Sequence, residues 1–219
     1  MIKGVWWKIS ALVLLLYAVM AGFFITVPGT MMGETIRTVF FHVGMWFAMF
    51  VLLFLSFIYS LRYLIGFEEK EDIVAVEAAN TAVCFGMLGI VTGMIWAKNT
   101  WGAFWVRDPK LDGALAGLFI YLAYLILRAS VDDVHKRAKI SAVYNSFAFI
   151  LWMSFVLIMP RTAGSSIHPG QEGVPLLSLD LSLNTRLVFY PAMAGWILLG
   201  IWIMNLRIRL NKIQRSTGR

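Results

Sequence analysis

Six apolar runs divide the chain, each closed by charged or turn-forming residues. They are Ile9 to Val27, Val39 to Leu64, Ile73 to Ala97, Leu111 to Ala129, Ile140 to Met159 and Leu187 to Leu206. Crossing the hydrocarbon core of a bilayer takes about 20 residues of α-helix, and all six fit or nearly fit. The fourth is the weakest, because Asp112 and Gly113 sit at its start. The runs are continuous, whereas a membrane barrel needs short alternating segments. A helix satisfies its own backbone groups, which lipid cannot do. The pattern predicts an all-α integral membrane protein, a bundle of six transmembrane helices forming one domain over residues 1–219.

Composition supports lipid as the solvent. Hydrophobic residues make up 60% of the chain and charged ones only 14%, against about a quarter charged in soluble domains. Lys3 and Lys8 give the first run the look of a signal peptide. The run exceeds the usual apolar core of about 7–15 residues and shows no clear small-residue cleavage site, so it reads as a retained span. The single cysteine, Cys84, lies mid-span; it excludes an internal disulfide and reads as a small packing residue.

Basic residues collect on the cytoplasmic side of membrane proteins. With alternating spans, thirteen of the nineteen Lys and Arg fall on the side of both termini and six on the other. Both termini are therefore expected inside. The net charge of +7 then reflects topology and contact with anionic lipid heads; scattered at helix ends, it gives no argument for nucleic acid. The inner loops 66–72 and 130–137 are short and plain, and the tail from Arg207 reads as a frayed basic end. The outer segments are richer: 28–37, the stretch around residues 97–111, and the long loop from Pro160 to Arg186, whose "LLSLDLSLN" reads as a segment lying in the interface. Chemistry is expected outside.

Three histidines are candidates. His135 lies among charges on an inner loop and reads as solvated. His42 lies about one turn inside the second span; spacing leaves it open between a histidine bonded to a neighbouring helix and a metal ligand. His168 sits in the long outer loop. Two imidazoles near one membrane surface form a pair, and imidazole is a common ligand for iron, zinc and copper.

Between them in sequence is "AKNTWGAFWVRDPKL". Trp101, Phe104 and Trp105 are spaced so that a helical turn would put three rings on one face. Pro109 disfavours helix at Asp108 and would end that turn. Tryptophan collects at membrane interfaces anyway, which accounts for Trp6 and Trp7. Here Lys98, Arg107 and Lys110 are interleaved with the rings. An apolar platform rimmed with cations suits a flat, anionic ligand, and haem, with its propionates and axial imidazoles, is one.

These residues carry a family resemblance. "WGAFWVRDP" resembles the tryptophan-rich WWD signature of the haem-handling membrane proteins of cytochrome c biogenesis. "TGMIWAKNT", "GETIRTVFFHVGMW" and the six-span layout with one histidine in each flanking outer segment are similar to the CcmC family. The resemblance implies a multi-pass protein of the bacterial inner membrane that holds haem b at the outer face without chemistry of its own. It implies His42 and His168 as axial ligands, and Trp101, Gly102, Trp105 and Asp108 as the WWD positions. Phe104 and Arg107 complete the expected cofactor-binding set. The implied partners are a CcmE-like haem chaperone, a CcmA/CcmB-like ATP-binding-cassette transporter and a CcmD-like small subunit.

Arg107 departs from the family pattern, which usually has a third aromatic there; it offers a propionate partner instead. Asp108 is expected to orient the loop through backbone hydrogen bonds. Two other classes remain: a transporter moving haem or another small molecule, and a structural subunit. The apolar middles of the spans, with Pro191 and Glu77 near span ends, argue against a polar path.

Overall fold

The computed structural model describes residues 4–25, 33–164, 166–169 and 182–217. All regular structure in them is helical: α1 (Trp6–Phe24), a 3-10 turn (Gly33–Thr38), α2 (Val39–Gly66), α3 (Glu69–Trp101), α4 (Pro109–Ala129), α5 (Val134–Met153), a π-helical segment (Ser154–Ile158), α6 (Met159–Thr162) and α7 (Leu183–Ser216). Six helical spans are long and apolar enough to cross a membrane, with α5 running through the π segment into α6 as one of them. They match the six expected runs. Residues 28–32 and most of "LLSLDLSLN" lie outside the described residues, so the interfacial segment expected in the latter does too.

The helices extend beyond the apolar runs, most of all at the C-terminus. The tail expected to fray is helical to Ser216. Its polar residues have acidic partners on α3: Arg207 Nε donates to buried Glu77 at 2.7 Å and Asn211 to the same carboxylate at 2.8 Å, while Arg215 pairs with Glu69. The last turns of α7 are thus stitched to α3.

The same end carries a buried ion pair, Arg128 gripping both oxygens of Asp72 at 2.7 and 2.6 Å across α4 and α3. Bidentate geometry favours such a pair. The span interiors are also less apolar than expected. Asn145 on α5 donates to Ser56 and Ser60 on α2 at 2.7 and 2.8 Å, all three buried. Such bonds hold helices together where lipid removes the hydrophobic drive between them.

Two assignments need correction. Cys84 faces outward rather than packing inside. Trp7 is not an interface anchor: it is 2% exposed, edge-on to Trp202 of α7, with the Lys8 ammonium over both rings. Trp6 is exposed, and so is His135.

What positions the other end of the bundle is the seam between α2 and α3. A Cβ at Gly86 would lie 2.8 Å from the Met49 sulfur, one at Gly89 2.9 Å from the Trp46 ring, and one at Gly93 2.8 Å from His42 Cε1. Three glycines on α3 thus receive three large side chains of antiparallel α2 in register. Small residues let membrane helices approach closely, and here they fix how deep His42 and Trp46 sit.

Candidate functional site

The tryptophan loop begins where α3 stops. Gly102 caps the helix in the left-handed region, φ 81°, with its N–H on the Lys98 carbonyl at 3.1 Å. Glycine takes this conformation without penalty. The chain therefore leaves the helix after Trp101, and the helical turn expected to align Trp101, Phe104 and Trp105 does not form. The three rings still converge, because the loop folds back over the end of the bundle. Trp105 is held by its Nε1 donating to Asp112 at 3.1 Å. Lys98 donates to the Gly102 carbonyl at 2.8 Å and lies 5.7 Å from the centre of the Phe104 ring.

Asp108 ends the loop and starts α4. Its backbone is extended and Pro109 opens the helix, an arrangement favoured for the first turn. One carboxylate oxygen accepts the Lys110 N–H at 2.8 Å as an N-cap; the other accepts the Ile167 N–H at 2.8 Å. The Ser166 hydroxyl donates to both, at 3.1 and 3.0 Å, and accepts the His168 N–H at 3.2 Å. Asp108 is 1% exposed. It is the clamp between the tryptophan loop and the loop bearing His168, the orienting role expected of it.

The π-helical segment completes the wall. Pro160 has no N–H to return to the preceding turn, and Lys110 Nζ donates to the Val156 carbonyl at 2.9 Å. Gly113 lets α4 come against this segment; a Cβ there would overlap the Phe155 carbonyl oxygen. The Asp112–Gly113 pair that weakened the fourth run is therefore structural. Arg161 follows, its guanidinium donating to the Leu157 carbonyl at 2.8 Å.

These elements line a cavity that opens at its mouth. His42 and His168 both line it. Its walls hold five tryptophans, Trp46, Trp96, Trp101, Trp105 and Trp152, with Phe47, Phe50 and Phe104. The cations on the lining are Lys110 and Arg161. His168 stands against Trp96 and Trp101, ring centres 5.9 and 6.4 Å apart. Its Nδ1 is 3.0 Å from the Pro169 carbonyl; a carbonyl only accepts, so Nδ1 carries the proton and Nε2 the lone pair. Burial holds this imidazole below its ordinary pKa, and the neighbouring Lys110 ammonium pushes the same way. His42 lies beside Trp46, with Nδ1 3.1 Å from the Thr92 hydroxyl on α3.

Of the expected site residues, His42, His168, Trp101, Phe104 and Trp105 meet at the cavity. Gly102 and Asp108 shape it from behind. Arg107 does not reach it: its side chain is 94% exposed and lies 3.7 Å from Asp112. Lys110 was among the cations the sequence set beside the rings, whereas Trp46, Trp96, Trp152 and Arg161 were not read as wall residues. The Gly89–Gly93 spacing on α3 was a usable signal for close helix approach.

The fold and site define a six-span helical membrane protein with a tryptophan-walled, two-histidine cavity at one end. Residues 2–154 match the family model for CcmC, heme exporter protein C. The chain is 26% identical over 93% of its length to heme exporter protein C of Rhodobacter capsulatus, covering 84% of that protein. It is 34% identical over 51% of its length to the Bradyrhizobium diazoefficiens protein of that name, covering 42% of it. With the Escherichia coli K12 protein it shares 25% identity over 63% of the chain and 56% of the relative. The chain belongs to the CcmC family.

Proposed function

We propose that this protein holds haem in the tryptophan-walled cavity and presents it for c-type cytochrome maturation. The observation that carries the reading is the convergence of His42 and His168 on one apolar, aromatic cavity that also has Lys110 and Arg161 on its wall. Haem needs those three things: imidazole lone pairs for the iron, flat apolar contact for the ring and cations for the propionates. The site lies at the outer face of the bacterial inner membrane, with both termini cytoplasmic. The receiver is a CcmE-like chaperone, and the protein works beside a CcmA/CcmB-like transporter with a CcmD-like subunit. As one six-span unit it binds and releases haem b, its cargo, without bond chemistry.

The two ligands differ in how they are held. His42 is fixed in the α2–α3 seam, whereas His168 hangs on a loop clamped by one carboxylate. The loop histidine can leave the iron while the helix histidine keeps it, which opens one face to a receiver.

The test is electron paramagnetic resonance of the purified protein loaded with ferric haem. Two axial imidazoles give a low-spin signal; His42→Ala and His168→Ala each convert it to high spin or lose the haem, and His135→Ala changes nothing. A low-spin signal unchanged in both variants refutes the assignment.

A further inference from the structure

The seam that fixes His42 also contains a hydroxyl that bears on which of its nitrogens faces a ligand. Thr92 sits on α3 beside Gly93, the glycine that admits the His42 ring. Its Oγ1 is 2.9 Å from the Leu88 carbonyl and 3.1 Å from that of Gly89, both within its own helix. Carbonyls only accept, so the hydroxyl proton is committed to them. What the oxygen has left is a lone pair, and His42 Nδ1 lies 3.1 Å away. The bond therefore runs from imidazole Nδ1–H to the hydroxyl.

We propose that Thr92 is a positioning residue for the cargo: it fixes His42 in the Nδ1–H tautomer and holds the ring so that Nε2 presents its lone pair to the iron. This rests on the haem reading above and adds a member to the site that touches neither ring nor metal. An imidazole that is free to choose carries its proton on either nitrogen, and a proton on Nε2 blocks ligation. Histidines that ligate metals usually give their other N–H to an acceptor, which sets tautomer and orientation. His168 does so through the Pro169 carbonyl. For His42 a side-chain acceptor, the Thr92 hydroxyl, stands beside the Gly89 carbonyl, and the hydroxyl can be removed by substitution.

Histidine-selective ¹⁵N NMR on the haem-free protein in detergent reads the tautomer directly, with His168→Ala and His135→Ala assigning the signals. The wild type is expected to show His42 protonated on Nδ1. Thr92→Val, which keeps the shape and removes the hydroxyl, should give a mixture of tautomers. In ferric haem titrations it should weaken binding about 10-fold or more, the range seen when such partners are lost, with part of the spectrum turning high spin. Thr92→Ser keeps the hydroxyl and should restore the single tautomer and the low-spin spectrum. A wild-type His42 protonated on Nε2 overturns the proposal, and so does Thr92→Val with wild-type affinity and spin state. A wild type that shows the Nδ1–H tautomer but takes up no haem sinks the haem reading itself. Haem binding that ignores Thr92 sinks only the role of the threonine.

Discussion

The carboxylate of Asp108 accepts the backbone N–H of Ile167 at 2.8 Å, joining residues 59 apart in sequence. That bond, with the two from Ser166, places His168 over the tryptophan loop. Asp108→Ala leaves the Ile167 and Lys110 N–H groups without this acceptor. An orphaned N–H costs about 1–3 kcal/mol when fully buried and less at these part-buried positions, and an N-cap about 1 kcal/mol. The expected result is a protein that still inserts, melts lower without haem and retains little haem in a pyridine haemochrome assay. Asp108→Asn should fall between, because one acceptor oxygen survives. Wild-type haem content in Asp108→Ala would show that the loop finds its place unaided.

The propionate partners are expected to be Lys110 and Arg161, both on the cavity wall, and not Arg107, which points outward. Lys110→Ala or Arg161→Ala should weaken haem binding by about 10- to 100-fold, the worth of one hydrogen bond to a charged group at about 1.5–3 kcal/mol. Arg107→Ala should be near silent. Haem titration of the three variants decides it: the reverse order would move the propionates to the loop.

The proposed orientation is tested with single cysteines in a Cys84→Ala background. Ser130 and Ala163 lie at opposite ends of the bundle and are exposed. Ser166 is unsuitable, since its hydroxyl bonds Asp108. In intact cells an impermeant thiol reagent should label position 163 and spare 130. Labelling of 130 alone would put the cavity on the cytoplasmic side.

Much of the site was legible because its chemistry is concentrated in few residues. His42 and His168 stand out as the histidines away from charged loops. The tryptophans of 97–111 stand out because aromatics and cations alternate there. Arg107 misled for the same reason, since an extra cation in a motif says nothing about which way its side chain points. Lys110 was visible as a cation interleaved with the rings, and Arg161 only as a charge counted toward topology. Their place on one wall depends on Pro160 breaking the helix pattern and on Gly113 letting α4 approach.

By itself the sequence determined six helices in lipid, since about 20 uninterrupted apolar residues leave a membrane chain few other ways to satisfy its backbone. Asp108 and Pro109 carry a local start signal for α4, although the apolar run by itself put the start of that span at Leu111. The tertiary structure alone decided the rest. The rings of Trp101, Phe104 and Trp105 converge because a glycine ends α3 and the loop folds back, not because of helical periodicity. The basic tail is helical because Glu77 and Glu69 on another helix receive it. His42 has its depth from Gly93 and its bonded nitrogen from Thr92, 50 residues away in sequence. Local patterns record what a segment needs from its solvent; which groups meet across helices depends on register and close approach, and those exist only once the bundle has formed.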